Sequence, residues 1–310
     1  MRPRSFHNPN QNINKKIFRQ MKVLRAKSAG FCFGVERAIG IATACTEDGR
    51  RKVYTDGPLI HNSQMMELLK KSGVEEIGDY ESSKQLDDEI DGKSDAILVI
   101  RAHGVSPERR TYLKSLNLPC KDATCPDVGK IAGTIKIHAI KGYNIVIVGD
   151  PKHPEVIGLL GYAKAGKGFV IKNREDVDNL PELEGECCIV SQSTMFPDDF
   201  EKLANYFKSR FPHAKIVDTI CGATKERQKE VVRLAENGAQ AIVVIGGKHS
   251  ANTVKLAKLV ERTGLPCFHI ETLKELDLDA ISKFAKVGVT AGASTPAFLI
   301  DEVCAKLESM

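Results

Sequence analysis

The sequence predicts an α/β protein built as three similar α/β domains, each with a mostly parallel sheet, arranged with pseudo-threefold symmetry. Two observations carry the prediction. Apolar strand runs alternate with helical patterns, as at Ala96–Ile100, Asn144–Val148 and Ala241–Ile245, each followed by a polar loop and a helix start. In addition, Cys32, Cys125 and Cys221 recur 93 and 96 residues apart, each after a strand-like approach and at the start of a helical pattern. A repeat of that length implies domains rather than a solenoid of small units.

The chain of 310 residues exceeds the size at which one core usually keeps growing, in agreement with several domains. The linear division is a first domain over 22–124, a second over 125–217 and a third over 218–310. Residues 1–21 are basic, rich in asparagine and without apolar periodicity, and are expected to be a disordered tail. No apolar run approaches the roughly 20 residues of a membrane helix. The net charge of +5 comes without a long basic run or interleaved aromatics, which argues against nucleic acid. Nine cysteines, an odd number, in a chain without a secretory apolar segment point to reduced thiols and a cytoplasmic setting.

In chain order, Val23–Ala26 reads as a strand before Cys32 and its helix. Lys52–Thr55 reads as a strand and Asn62–Lys71 as a helix, with His61 in the loop between them. Ala96–Ile100 feeds the loop holding His103, after which Ser106 and Pro107 open a helix as N-cap and first helical residue. The middle third repeats this. Asn144–Val148 leads to the His153 loop and a helix, and Cys188–Val190 leads to Ser193 and a helix from Pro197. The last third does so again, with Ala241–Ile245 before Lys248–Asn252 and Val287–Thr290 before Ser294. From each cysteine to the first polar loop, at His61, His153 and His249, the spacing is 29, 28 and 28 residues; to the second, at His103, Ser193 and Ser294, it is 71, 68 and 73. In open parallel sheets ligands bind beyond the carboxyl ends of the strands, which is where these loops fall.

Any one cysteine is more often a small buried apolar residue than a ligand. Cys32, Cys125 and Cys221 differ because they share a repeated position at a helix start, where the dipole favours thiolate. Three thiolates suit an iron–sulfur cluster with one iron left open for substrate, and ligand identity alone leaves zinc as the competing metal. His61, His103 and His153, each in a loop near a helix N-terminus, suit a multiply charged anion such as diphosphate. Ser250, Asn252 and Ser294 add neutral donors from the third domain. Glu155 shares the His153 loop, and in a closed cavity its carboxyl is expected to titrate high and deliver a proton.

The stretches Ala29-Gly30-Phe31-Cys32-Phe33-Gly34-Val35, Arg101-Ala102-His103-Gly104, Asp122-Ala123-Thr124-Cys125-Pro126, Lys152-His153-Pro154-Glu155, Gly246-Gly247-Lys248 and Thr290-Ala291-Gly292-Ala293-Ser294-Thr295-Pro296 resemble the motifs of the 4-hydroxy-3-methylbut-2-enyl diphosphate reductase family, in order along the chain. The resemblance implies reductive removal of an allylic hydroxyl to give isopentenyl and dimethylallyl diphosphates, the last step of the non-mevalonate isoprenoid pathway. It implies a 4Fe-4S cluster on Cys32, Cys125 and Cys221 at the centre of the three domains, diphosphate binding by His61, His103, His153, Ser250, Asn252 and Ser294, and Glu155 as proton donor. Two departures stand out. The family's Gln-Thr-Thr is Gln192-Ser193-Thr194 here, which puts the hydroxyl that meets the substrate alcohol on Ser193 with Thr194 beside it. Its Asn-Ser-Ser-Asn is His249-Ser250-Ala251-Asn252, one hydroxyl fewer and one imidazole more. With no flavin or nicotinamide motif in view, electrons are expected from a small acidic ferredoxin or flavodoxin. The rival reading is a metal- or cluster-bearing sensor that binds a phosphate ligand without reducing it.

Overall fold

The computed structural model describes residues 20–310 apart from 48, 50, 80–82, 91–94 and 165. All of the expected disordered tail except Gln20 and Met21 lies outside the described residues. The chain opens with β1 (Lys22–Arg25) and α1 (Phe33–Ala44). There follow β2 (Val53–Asp56), α2 (Ser63–Lys71), β3 (Val74–Ile77), α3 (Asp87–Ile90), β4 (Ile97–Ile100), α4 (Pro107–Ser115) and β5 (Cys120–Asp122). The middle of the chain forms α5 (Pro126–Ile140), β6 (Asn144–Val148), α6 (Pro154–Leu160), β7 (Gly168–Ile171), α7 (Arg174–Asp178), β8 (Cys187–Ser191), α8 (Pro197–Arg210) and β9 (Lys215–Ile216). The last part forms α9 (Gly222–Glu236), β10 (Ala241–Ile245), α10 (Ala251–Arg262), β11 (Cys267–Ile270), α11 (Leu278–Ile281), β12 (Lys286–Ala291) and α12 (Ala297–Glu308). None of the helices among the described residues is long and apolar enough to cross a membrane.

The strands form three four-stranded sheets whose recorded pairings are all parallel: β3-β2-β4-β5, β7-β6-β8-β9 and β11-β10-β12-β1. Read from the outer strand, the three orders are one pattern, so the expected threefold repeat is present in the topology. The strands β4, β6, β8 and β10 are buried along their whole length, because helices cover both faces of a parallel sheet. Local capping follows the sequence. Asn62, Ser106 and Ser250 accept side-chain hydrogen bonds from the backbone N–H groups of Met65, Arg109 and Thr253 at the starts of α2, α4 and α10.

The sheets depart from the linear division at one point. β1, at the head of the span 22–124, pairs with β12 in register Val23↔Val287, in the third sheet. The reason lies in the repeat itself. The edge strand that delivers the chain to each cysteine belongs to the sheet before it: β5 precedes Cys125, β9 precedes Cys221, and β1 precedes Cys32. Having no earlier unit in sequence, β1 completes the last one and closes the three units into a ring. Gln20 Nε2 donates to the carbonyl of Glu308 at 3.0 Å, bringing the two ends of the described chain together.

Candidate functional site

Cys32, Cys125 and Cys221 are the N-cap residues of α1, α5 and α9, and none of the three uses its side chain to cap the helix. Their backbones are held in equivalent ways. Each N–H donates to a carbonyl in the second polar loop of the preceding unit: Cys32 to Ala293 at 3.1 Å, Cys125 to Ala102 at 2.9 Å and Cys221 to Ser193 at 3.0 Å. Those carbonyls stand beside or on Ser294, His103 and Ser193, so one bond per unit locks a thiol to a polar loop. All twelve residues singled out from the sequence line one cavity.

The thiols crowd there. A Cβ on Gly34 would stand 2.5 Å from Cys125 Sγ, so only glycine lets α1 pass this close to the second unit. Cys221 Sγ donates to Asp127 Oδ2 at 3.3 Å. Burial pushes the Cys125 thiol up despite backbone N–H groups of Asp127 and Val128 that favour its anion, and pushes Cys221 up to about 11. For these two, desolvation outweighs the dipole effect expected at a helix start. Loading a metal group must therefore expel protons. Among the described residues no group of three His, Cys, Asp or Glu side chains is gathered about a point that would hold a single metal ion. The donor set, three half-buried thiols lining one cavity, fits an iron–sulfur cluster.

The imidazoles form a triangle. Ring centroids of His61 and His103 lie 4.3 Å apart, His61 and His153 5.7 Å, and His103 and His153 5.8 Å. Burial lowers the His61 pKa to about 4, with the charges of Arg101 and His249 adding to the effect. His153 falls to about 3 through burial, His61 and Lys255, and burial also takes His103 well below its ordinary value. Three neutral imidazoles at this distance would regain protons beside a negative charge. His153 also caps α6, its Nδ1 accepting from Glu155 N at 3.2 Å.

Glu155 is buried, 2 % exposed, and accepts from Ser193 twice, from the backbone N–H at 2.6 Å and from Oγ at 2.5 Å. Burial raises its pKa, and the Ser193 bonds and the charge of Lys255 oppose that rise. Ser193 thus gives its hydroxyl proton to the carboxylate, while its neighbour Thr194 Oγ1 is buried with no hydrogen-bond partner among the described residues. His103 Nδ1 and Asn252 Nδ2 are in the same condition. Buried polar atoms are almost always bonded, so three orphans on one cavity, one from each unit, mark room for a polar ligand. The third unit supplies the remaining wall. Ser294 Oγ donates to the His61 carbonyl at 2.9 Å, and a Cβ at Gly247 would come within 3.1 Å of that oxygen. Ser250 keeps its own proton free, since its oxygen accepts from Thr253 N.

Lys255 and Arg101 were not singled out from the sequence. Lys255 lies one turn beyond Asn252 on α10, its Nζ 3.4 Å from Met195 Sδ, and burial lowers its pKa to about 8 against the opposing charges of Glu155, Asp150 and Asp199. Its i,i+3 spacing from Asn252 was the available signal. Arg101, 1 % exposed, donates to the carbonyls of Asp79 at 2.8 Å and Asp56 at 3.3 Å behind the histidines. His249, where the family has Asn, is one of the groups that lower the His61 pKa.

Fold and cavity together define a ring of three parallel α/β units with a centre lined by three thiols and three imidazoles. Comparison with known proteins makes the class specific. The sequence model of the LytB protein family matches residues 23–308. The 4-hydroxy-3-methylbut-2-enyl diphosphate reductase of Opitutus terrae is 59 % identical over 292 residues, covering 94 % of this chain and all of the relative. That of Caldanaerobacter subterraneus subsp. tengcongensis is 38 % identical over 94 % of this chain and 98 % of its own. The solved E-1-hydroxy-2-methyl-but-2-enyl-4-diphosphate reductase of Plasmodium falciparum superposes with a TM-score of 0.85 at 28 % identity, over 93 % of this chain and 88 % of the other. A second solved reductase, described as the terminal enzyme of the non-mevalonate pathway, gives 0.68 at 35 % identity over 94 % and 100 %. The chain belongs to the LytB family of 4-hydroxy-3-methylbut-2-enyl diphosphate reductases, a family of iron–sulfur oxidoreductases.

Proposed function

We propose that this protein reduces (E)-4-hydroxy-3-methylbut-2-enyl diphosphate to isopentenyl and dimethylallyl diphosphates, with a 4Fe-4S cluster held by Cys32, Cys125 and Cys221. The observation that carries the reading is the set of buried, unpartnered atoms His103 Nδ1, Thr194 Oγ1 and Asn252 Nδ2 on the same cavity as the three thiols. When bound, the cluster supplies electrons singly and an open iron as Lewis acid for breaking the allylic C–O bond.

The reaction takes two electrons and two protons; the C–O bond breaks, water leaves, and the second proton adds to one end or the other of the allyl fragment. His61, His103 and His153, with Ser250, Asn252 and Ser294, receive the diphosphate. Its negative charge raises the imidazole pKa values, so the bound anion is matched by protonated donors. Glu155, its carboxyl held high by burial, gives a proton to the leaving oxygen. Ser193 fixes the rotamer of that carboxyl and its oxygen keeps a lone pair to accept from the substrate alcohol, with the Thr194 hydroxyl beside it. Val35, Val128 and Ala223 line the same cavity and keep water from the reactive fragment.

Anaerobic purification followed by iron and acid-labile sulfide analysis tests the ligand set. Wild-type protein is expected to be brown and to contain both, and Cys125→Ser to lose the cluster spectrum. A colourless zinc-bearing wild type, or a Cys125→Ser variant with the full spectrum, contradicts the assignment.

A further inference from the structure

The electrons for this reaction have to enter from outside. α1 and α5 both start on a thiol assigned to the cluster. At helical spacing, Phe33, Arg37 and Gly40 share one face of α1, and Gly129, Gly133, Lys136, Ile137 and Ile140 share one face of α5. The apolar members of these faces point to solvent: Phe33 is 71 % exposed, Ile137 56 % and Ile140 66 %, three of the large hydrophobic residues the fold leaves uncovered. Phe33 is adjacent in sequence to Cys32 yet does not line the central cavity.

The two faces are contiguous. Arg37 reaches from α1 to the carbonyls of Thr124 at 3.1 Å and Asp122 at 3.3 Å, immediately before Cys125. Arg37 and Lys136 line a groove whose floor includes Cys125 and Gly129. A Cβ on Gly129 or Gly133 would meet nothing within 4 Å, so the backbone of the thiol-bearing helix lies open to an approaching surface. The groove has one lining carboxylate, Asp122, and Arg110 is paired with it. Arg37, spent on carbonyls, and Lys136 then leave the groove net positive.

We propose that the outward faces of α1 and α5, centred on Phe33, Arg37 and Lys136, are the docking surface for a small acidic one-electron carrier protein. The inference rests on the reductase reading, which sets the demand for electrons. An exposed aromatic residue beside a net-positive groove suits an oppositely charged partner. The groove brings that partner to the outer side of the helix ends, leaving the cavity side to the substrate. Two reduced carriers are oxidised, by one electron each, for every substrate reduced.

The test uses cluster-loaded protein with a reduced plant-type ferredoxin as carrier and, separately, dithionite with methyl viologen as a small reductant. Lys136→Glu and Phe33→Ser are expected to raise the KM for ferredoxin and the calorimetric Kd for oxidised ferredoxin by about tenfold each, and to flatten the salt dependence for Lys136→Glu. Turnover driven by the small reductant stays at the wild-type rate. Lys208→Glu, an equal charge change at the end of α8, leaves ferredoxin binding unaltered. Ferredoxin KM and Kd within twofold of wild type in both variants overturn the docking surface. Loss of turnover with the small reductant in wild type overturns the reductase reading instead, and the binding measurement still decides the surface.

Discussion

Glu155 is asked to be an acid at neutral pH, and its surroundings set the sign of every change made there. Burial raises its pKa, and the two bonds from Ser193 pull it back down. Ser193→Ala removes one of those bonds, so the pKa rises further. Because the protonated form donates, the alkaline fall of kcat is expected to move to higher pH in Ser193→Ala while kcat itself drops about tenfold or more. An unmoved pH profile removes Glu155 from the proton-donor role. The histidines make the complementary prediction. With pKa values near 4 for His61 and 3 for His153 in the free site, diphosphate binding raises them, so the complex takes up protons and affinity increases as pH falls from about 7 toward 5. Calorimetry of inorganic diphosphate in two buffers of different ionisation enthalpy reads that uptake directly; binding with no proton change contradicts it. These residues were legible in the sequence because each interrupts an apolar pattern at a strand end. Lys255 was not, since a lysine on a helix is ordinarily solvated and its burial arises only from how α10 packs beside Met195.

At the scale of elements, the thiol-bearing helices are placed by contacts that a change of one atom disturbs. Gly34→Ala drives a methyl to 2.5 Å from Cys125 Sγ, and backbone movement of α1 to relieve it costs about 1–3 kcal/mol. The expected result is a lower iron content at assembly and a lower Tm, measured by iron analysis and thermal denaturation; a variant that loads and melts like wild type would show that the thiol is free to move aside. Strands with their own apolar runs, such as β4, β6 and β10, could be read directly from the chain. The outer strands β3, β7 and β11 could not, and they are equivalent positions in the three sheets. Each is four residues long, and β3 reads Val-Glu-Glu-Ile, with burial only at its ends. Such a strand takes its conformation from the neighbour it pairs with rather than from its own pattern.

For the whole molecule, the repeat spacing revealed three units but not how they close. Nothing local in Lys22–Arg25 says that its partner is β12, more than 260 residues away; that follows only from the geometry that hands each edge strand to the preceding sheet. The closure matters for function, because it pins Cys32 to the Ala293 carbonyl and so sets the first thiol against the third unit's Ser294 loop. The account as a whole requires that one cavity bind the diphosphate, hold the cluster and deliver the proton. Its most direct test is turnover of (E)-4-hydroxy-3-methylbut-2-enyl diphosphate by the anaerobically prepared protein with dithionite and methyl viologen, read as products. Isopentenyl and dimethylallyl diphosphates are expected together, and both are expected to vanish in Glu155→Gln with the cluster spectrum intact. A cluster-loaded wild type that binds the substrate and returns it unreduced would contradict the account.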